Sequence, residues 1–541
     1  MQNLMMASPL TVSSLMAFAE KVHPNTEIVS VTLDNPRHRY TFADAFKRSR
    51  QLANAILALG AETGDRIGTL VWNDYRHFEL YYAVSGLGMI CHTINPRLFP
   101  EQIDYIVNHA QDRILFIDPL FVPLVEQLAD KLNTVEKIVV LTSEEHMPKT
   151  SLSNVYCYET LLAAASDKID WPELDEDAPC SLCYTSGTTG NPKGVLYSHR
   201  STILHAYASA MPDVMNVSRN DVIMPIVPMF HVNAWGAPYT ACITGSKIVF
   251  PGPKMADGEV LADLINDEKV TASLGVPTIW LALINYLKSS GRKVPSLERV
   301  VVGGAACPLS IMEIFEDDYD VYTHAVWGMT EMSPLGTVNA KLNRAALGED
   351  AYRTLRQKAG RPIFGVEMKI VDDKNNELPW DGEKFGALKV RGPWVCSGYY
   401  KLDHSDSHDD DGWFDTGDVA TIDADGNMQI TDRSKDVIKS GGEWISSIDI
   451  ENVAVDHPSV KEACVIGLPH PKWTERPLLL VILHDGEKIE KSEMLGWFDG
   501  KIAKWWIPED CLFVTELAHT ATGKLSKKDM RDRYKDYQFA D

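Results

Sequence analysis

A chain of 541 residues exceeds what a single hydrophobic core organises and predicts two to four domains. Hydrophobic residues at 45% and charged residues at 23% are ordinary globular proportions, so disorder is not the default state. Its 75 acidic against 52 basic side chains give a formal charge of −23, which argues against a nucleic-acid partner, while a small anionic ligand held by local Lys and Arg stays open.

The N-terminus shows no positively charged leader, and Glu20 with Lys21 interrupts its apolar stretch, so no signal peptide is expected. No run reaches the roughly 18 apolar residues of a membrane span. The nine cysteines are scattered, which suits reduced thiols, and the expectation is a cytoplasmic protein with no membrane partner. Only Cys180 and Cys183 have C-x-x-C spacing; without a second pair nearby they read as packing residues of a strand.

Apolar runs at 66–71, 113–117, 137–141 and 299–302 read as buried strands, and amphipathic stretches such as 51–59 and 259–266 lie between such runs. That alternation predicts parallel α/β layers over about the first 340 residues. From about Gly365 the texture becomes antiparallel: strands at 367–371, 386–390 and 427–431, with a turn at Asn375-Asn376. After Asp432 comes a helix at 447–456 with a capping-box pattern, Ser446 to Asp449, ending before Pro458. Strands at 463–468 and 478–483 and a helix near 494–501 follow. Residues 436–541 therefore read as a separate small α+β domain.

The strongest chemical signal is Tyr184-Thr-Ser-Gly-Thr-Thr-Gly-Asn-Pro-Lys-Gly194, directly after an apolar run. Gly187, Gly190 and Gly194 let backbone N–H groups approach oxyanions, and Thr185, Ser186, Thr188 and Thr189 add hydroxyls. Lys193 adds a mobile positive charge suited to a leaving diphosphate. No Gly-Lys pair stands at the spacing of a Walker A loop, and a plain Ser/Gly-rich turn would not call for the Pro-Lys-Gly ending. Glu331 is a hard oxygen ligand that, with the Thr185 hydroxyl, suits Mg²⁺ on ATP phosphates, although a lone Glu is usually a surface charge. Gly303 and Gly304 end a buried strand, with a helix expected from Ser310 under a Ser310 to Glu313 capping box; such a crevice suits a planar base. Asp418 offers two oxygens to paired ribose hydroxyls, though Thr-Gly-Asp alone is more often a turn.

The loop resembles the signature of the acyl-adenylate-forming superfamily: acyl-CoA synthetases, peptide-synthetase adenylation domains and firefly-type luciferases. Similar segments follow in order: Pro228-Met-Phe-His-Val-Asn-Ala-Trp235, Gly303-Gly-Ala305, Val326-Trp-Gly-Met-Thr-Glu331, Trp413-Phe-Asp-Thr-Gly-Asp418, Asp432-Arg-Ser-Lys-Asp436, Lys439-Ser-Gly-Gly-Glu-Trp444 and Thr522-Gly-Lys524. The resemblance spans nearly the whole chain. It implies an N-terminal adenylation domain at 1–432, built from two α/β layered subdomains and a β-rich one, a hinge at 433–435 and a mobile lid domain at 436–541. ATP and CoA are implied as co-substrates and Mg²⁺ as cofactor.

By the same resemblance Ala325, Val326, Trp327, Gly328, Met329 and Thr330 face the nucleotide with Gly303 and Gly304, and Asp418 holds the ribose with Arg433 assisting. Lys435 is the hinge position and, with Lys439 and Trp444, touches the nucleotide; a core tryptophan is the competing view of Trp444. His231, otherwise an ordinary core histidine, lies beside the carboxylate and α-phosphate. Lys524, which an isolated view would leave idle in solvent, reaches the reacting groups during adenylation. Ser440, Gly441, Gly442 and Glu443 flank a pantetheine tunnel, and the acyl group meets His231, Trp235, Gly303, Trp327, Gly328, Met329 and Pro334. A homodimer is expected from similar bacterial enzymes.

The segments His92 to Leu98, His231 to Trp235, Lys439 to Ser446 and His470 to Trp473 are similar to those of bacterial medium- and long-chain fatty-acyl-CoA synthetases. Trp327 to Gly336 and Asp499 to Lys504 are more similar still to ligases of 3-methylmercaptopropionate, a small apolar acid. Trp235, Trp327 and Met329 would shorten the acyl pocket, although one methylene changes discrimination by only about 1–3 kcal/mol. Two other classes carry some of these motifs: luciferase-like oxygenases, which need an oxygen-reactive acid, and silent nucleotide binders, which should lack Glu331 or Lys524.

Overall fold

Parallel strands are covered on both faces, so their sequences run apolar without alternation. The strands Arg66–Leu70, Lys137–Val140 and Arg299–Val302 do this, with nearly every side chain buried. The computed structural model describes residues 4–185, 191–433, 435–440, 443–519 and 525–539, with the backbone alone at 443 and 444. The chain divides into two compact units, residues 1–366 with 392–405, and residues 367–391 with 406–541.

The first unit holds two sheets flanked by helices. A seven-stranded sheet runs Val155–Cys157, Lys137–Val140, Asp112–Ile117, Arg66–Leu70, Ile90–Thr93, Pro179–Tyr184 and Gly194–Ser198; only the last strand is antiparallel to its neighbour. A nine-stranded sheet has a parallel centre, in which Tyr322–Gly328, Arg299–Val302, Ala272–Gly275 and Val222–Pro225 are successive neighbours, and antiparallel strands at both edges. Its core centres on Trp280, fully buried, whose ring meets Phe315 edge-on at 5.8 Å. Gly275 leaves the space that ring occupies, since a Cβ there would stand 2.8 Å from Trp280. The helices begin where side chains satisfy their first N–H groups: Thr41 and Asp44 form a reciprocal box on Phe42–Ala58, and Asp257 caps Gly258–Glu268.

In the second unit Glu367–Val371, Gly386–Arg391, Phe414–Ile422 and Met428–Arg433 form an antiparallel meander. A five-stranded sheet is built on the long hairpin Val460–His470 and Thr474–Leu483. Cys180 and Cys183 lie buried in a strand, as packing residues do.

Three local expectations are corrected. The helix expected from Ser310 runs Leu309–Glu313 with Pro308 at its N-cap and no side-chain cap, because Ser310 falls inside the first turn, past the position from which a hydroxyl caps. Of the Ser446/Asp449 box only one arm forms: Ser446 Oγ accepts from Asp449 N at 3.1 Å while donating to Thr431 O. The helix expected near 494–501 is Lys491–Gly496, and Trp497 beyond it donates its indole N–H to Val453 O at 2.8 Å.

Candidate active site

The glycine- and hydroxyl-rich segment 184–194 joins two paired strands. Strands Pro179–Tyr184 and Gly194–Ser198 pair antiparallel, Thr185 N donates to Lys193 O at 2.9 Å, and Lys193 N to Thr185 Oγ1 at 3.4 Å. Both ends of the loop are thereby held by rigid backbone. Ser186, Gly187, Thr188, Thr189 and Gly190 lie outside the described residues, as do Gly441, Gly442 and Lys524.

The segment Pro228 to Trp235 has an unusual backbone. His231 is extended, and Val232, Asn233, Ala234 and Trp235 then take φ of 48°, 50°, 51° and 54° before Gly236 at 76°. Four successive left-handed residues with a Cβ cost about 1–2 kcal/mol each, so their surroundings must hold them. Asn73, fully buried, does so from the other sheet's layer: its Nδ2 donates to Pro225 O and Val227 O at 3.0 and 2.8 Å, and its Oδ1 accepts from Met229 N at 2.7 Å. Tyr81 Oη donates to Met229 O at 2.5 Å, and Asn233 Nδ2 donates to Ser181 Oγ at 3.0 Å.

The turn delivers the Trp235 ring against Gly303. A Cβ at Gly303 would stand 2.7 Å from Val326 Cγ2 and 3.0 Å from Trp235 Cη2, so the wall is already full. The Val326 segment and the strand after it are also tightly packed: a Cβ at Gly328 would lie 1.8 Å from Pro334 O, and one at Gly336 2.6 Å from the Trp327 ring. Ala325 to Gly328 end a strand, Met329 N donates to Pro334 O at 3.0 Å, and Thr330–Met332 make a single 3-10 turn carrying Glu331. Two bonds fix that turn: Tyr197 Oη donates to Thr330 O at 2.6 Å and Cys396 N to Glu331 O at 2.7 Å. Burial, and then the charge of Glu331, push the Cys396 thiol up to about 12, so it stays protonated. Burial holds His205, which packs under Gly236, neutral at about 3.

In the second unit Asp418 and Arg433 are cross-strand partners, joined by Arg433 Nε to Asp418 Oδ1 at 2.9 Å, the carboxylate buried and the guanidinium half-exposed. Thr416-Gly-Asp418 is not a free turn; it is a bulged stretch of strand Phe414–Ile422, with Gly417 at φ 70°. Partial desolvation, opposed by Asp436 and reinforced by Arg433 and Arg531, lowers the pKa of Lys435 from its usual value. Lys439 N donates to Glu475 Oε2 at 2.8 Å, and Ser440 is buried beside Arg476 at 3.4 Å; Lys439 and Ser440 face Trp444 and Glu443 across a two-stranded ribbon. Tyr399, Tyr197, Asn73 and Asn233 escaped the sequence reading, because their partners lie 50 or more residues away and their residue types announce no chemistry.

Residues 17–400 match the AMP-binding enzyme family, and 449–524 match the AMP-binding enzyme C-terminal domain. The chain belongs to the AMP-binding enzymes. Relatives that match it over nearly its whole length are acyl-CoA ligases, and so is this chain. It is 51% identical to the 3-methylmercaptopropionyl-CoA ligase of Ruegeria lacuscaerulensis, over 98% of each chain. It is 47% identical to the medium-chain-fatty-acid–CoA ligase of Ectopseudomonas oleovorans, over 98% of this chain and 97% of that one. The crystal structure of the anthranilate CoA ligase AuaEII with anthranoyl-AMP shares the fold at a TM-score of 0.85 and 24% identity, over 97% and 98% of the two chains. Among the described residues there is no group of three or more His, Cys, Asp or Glu placed to hold a metal.

Proposed function

We propose that this acyl-CoA ligase activates 3-methylmercaptopropionate and transfers the acyl group to CoA, releasing AMP and diphosphate. The observation that carries the choice of acid is 51% and 50% identity, over 98% of each chain, to two Ruegeria ligases bearing that substrate in their names. The filled contact among Trp235, Gly303 and Val326 supports a small acid, since it places bulk where a long chain would need space. Medium-chain acids are the second reading, favoured by the 47% identical relative.

In this proposal the acid's carboxylate lies beside His231 and attacks the α-phosphorus, and the bond to the bridging oxygen of the leaving diphosphate breaks. Lys193 and Lys524 stabilise the charge that develops, and the nucleotide lies along Ala325 to Thr330 with its ribose on Asp418 and Arg433. Glu331 and Thr185 supply a carboxylate and a hydroxyl, a hard-oxygen pair that fits Mg²⁺ shared with ATP phosphates. When bound, that ion neutralises phosphate charge. Residues 1–432 act as the adenylation domain and 436–541 as the lid; rotation at 433–435, about Lys435, exchanges Lys524 for Ser440-Gly441-Gly442, which admit pantetheine. The CoA thiol then attacks the carbonyl carbon and AMP departs. The chain works as a cytoplasmic homodimer; nine cysteines that form no disulfide support a reducing compartment.

The deciding experiment is CoA-dependent AMP formation across C2 to C16 acids, including 3-methylmercaptopropionate. A sharp optimum at the short thioether acid is expected, and a broad C8 to C16 plateau would overturn the choice. Lys524→Ala should suppress diphosphate exchange far more than thioester formation from pre-made adenylate; equal loss in both refutes the role given to Lys524.

A further inference from the structure

Tyr399 makes two contacts at once. Its hydroxyl donates to Glu331 Oε1 at 2.9 Å, and the Lys193 ammonium lies 4.7 Å from the centre of its ring. The two partners come from segments 138 positions apart in sequence, and Tyr399 comes from a third, the stretch 392–405 that belongs to the first unit. Backbone bonds tie that stretch to both: Cys396 N donates to Glu331 O at 2.7 Å, and Tyr400 N to Gly194 O, next to Lys193, at 2.8 Å. Trp394 adds an indole bond to Leu335 O at 3.0 Å and accepts one from Ser333 Oγ at 3.0 Å. Tyr399 is itself 9% exposed, so neither its ring nor its hydroxyl has much freedom to leave.

A buried carboxylate with one oxygen held by a phenol has its rotamer chosen for it, and an ammonium over an aromatic face is attracted by the ring quadrupole. We propose that Tyr399 is a positioning residue that sets Glu331 for the divalent cation on ATP and keeps Lys193 beside it. This rests on the assignment of Glu331 as a cation ligand, which the test examines separately. The stretch 392–405 thereby acts as a strap that couples the proposed cation carboxylate to Lys193, from motifs far apart in the sequence.

The test is Mn²⁺ binding in the presence of ATP, followed by the electron paramagnetic resonance signal of free Mn²⁺, which needs no turnover. Glu331→Gln should weaken binding; if it does not, the assignment of Glu331 fails. With that arm positive, Tyr399→Phe, which keeps the ring, should raise the Mn²⁺ half-saturation about tenfold, the scale of one charge-assisted hydrogen bond. It should leave the KM for ATP at saturating cation within about twofold, on the view that a retained ring keeps Lys193 in place. Tyr399→Leu removes the ring as well and should raise that KM. Unchanged Mn²⁺ binding in Tyr399→Phe overturns the inference. Should that variant not fold, the double variant Tyr399→Phe with Glu331→Gln, in which no buried carboxylate needs a donor, should bind Mn²⁺ no worse than Glu331→Gln alone; a further tenfold loss would put the effect of Tyr399 elsewhere and sink the idea.

Discussion

Gly303→Ala tests the proposed acyl wall most directly. The added methyl carbon would sit 2.7 Å from Val326 Cγ2, 3.0 Å from Trp235 Cη2 and 3.2 Å from Val326 O. Carbon–carbon contacts are comfortable at about 3.5–4.0 Å, so two side chains must retreat by several tenths of an ångström while the carbonyl, part of a strand, cannot. Overpacking of this kind costs about 1–3 kcal/mol, a factor of roughly five to 150 in kcat/KM if the displaced tryptophan shapes the acid pocket. The assay is kcat/KM for the acid, beside KM for ATP and a thermal melt. The expected pattern is a large loss for the acid with a smaller change for ATP. Trp235→Phe, which deletes the outer ring atom, should restore part of the loss in the double variant, because the two positions share a contact. If Gly303→Ala keeps acid kcat/KM within about twofold at an unchanged melting temperature, the cluster does not line the pocket.

Asn73→Ala leaves Met229 N–H and two carbonyls without their partner and should lower the urea midpoint by the equivalent of about 2–4 kcal/mol, together with diphosphate exchange; a midpoint unchanged would show that the clamp is dispensable. Asp418→Asn should raise the KM for ATP roughly ten- to a hundredfold while moving stability by under about 1 kcal/mol, because Arg433 is half-exposed and its ion pair is screened; equal KM values would remove Asp418 from the ribose site. Burial depresses His205 to about 3, below its unfolded value of about 6.5, so its contribution is complete above pH 6.5 and declines as pH falls. Asp74, raised to about 7 by burial, acts in the opposite sense and loses its contribution as pH rises through that value. His205→Gln should therefore flatten the fall of the urea midpoint between pH 6.5 and 4.5, by up to about 1.4 kcal/mol per pH unit; an unchanged slope contradicts a neutral buried His205.

Strands whose information is local were legible in the sequence. Residues 300–302 are apolar because both faces of that strand are covered, and 367–371 were read at their observed bounds from a different pattern, the alternation that buries Met368 and Ile370. The place of Asp418 in a strand was not legible: its Gly417 suggested a turn, and the bulge that absorbs a positive φ inside the ladder depends on the partner strand. Pro308 outweighed Ser310 as the start of a helix, a contest between neighbours that propensity alone does not rank. Asn73 was invisible, since its three bonds reach across more than 150 residues, and only the assembled layers bring Pro225 to Met229 within its reach.

The left-handed run at Val232 to Trp235 means that part of the proposed substrate wall is a spring held compressed by its housing. At about 1–2 kcal/mol for each of four residues, roughly 4–8 kcal/mol of conformational tension resides in one turn. Heat or cosolvent that loosens the bonds from Asn73, Tyr81 and Ser181 gives this turn more to gain by relaxing than any regular helix or strand around it. Catalysis should therefore falter at temperatures where both sheets are still intact, and the gap between the two events measures how firmly the housing grips.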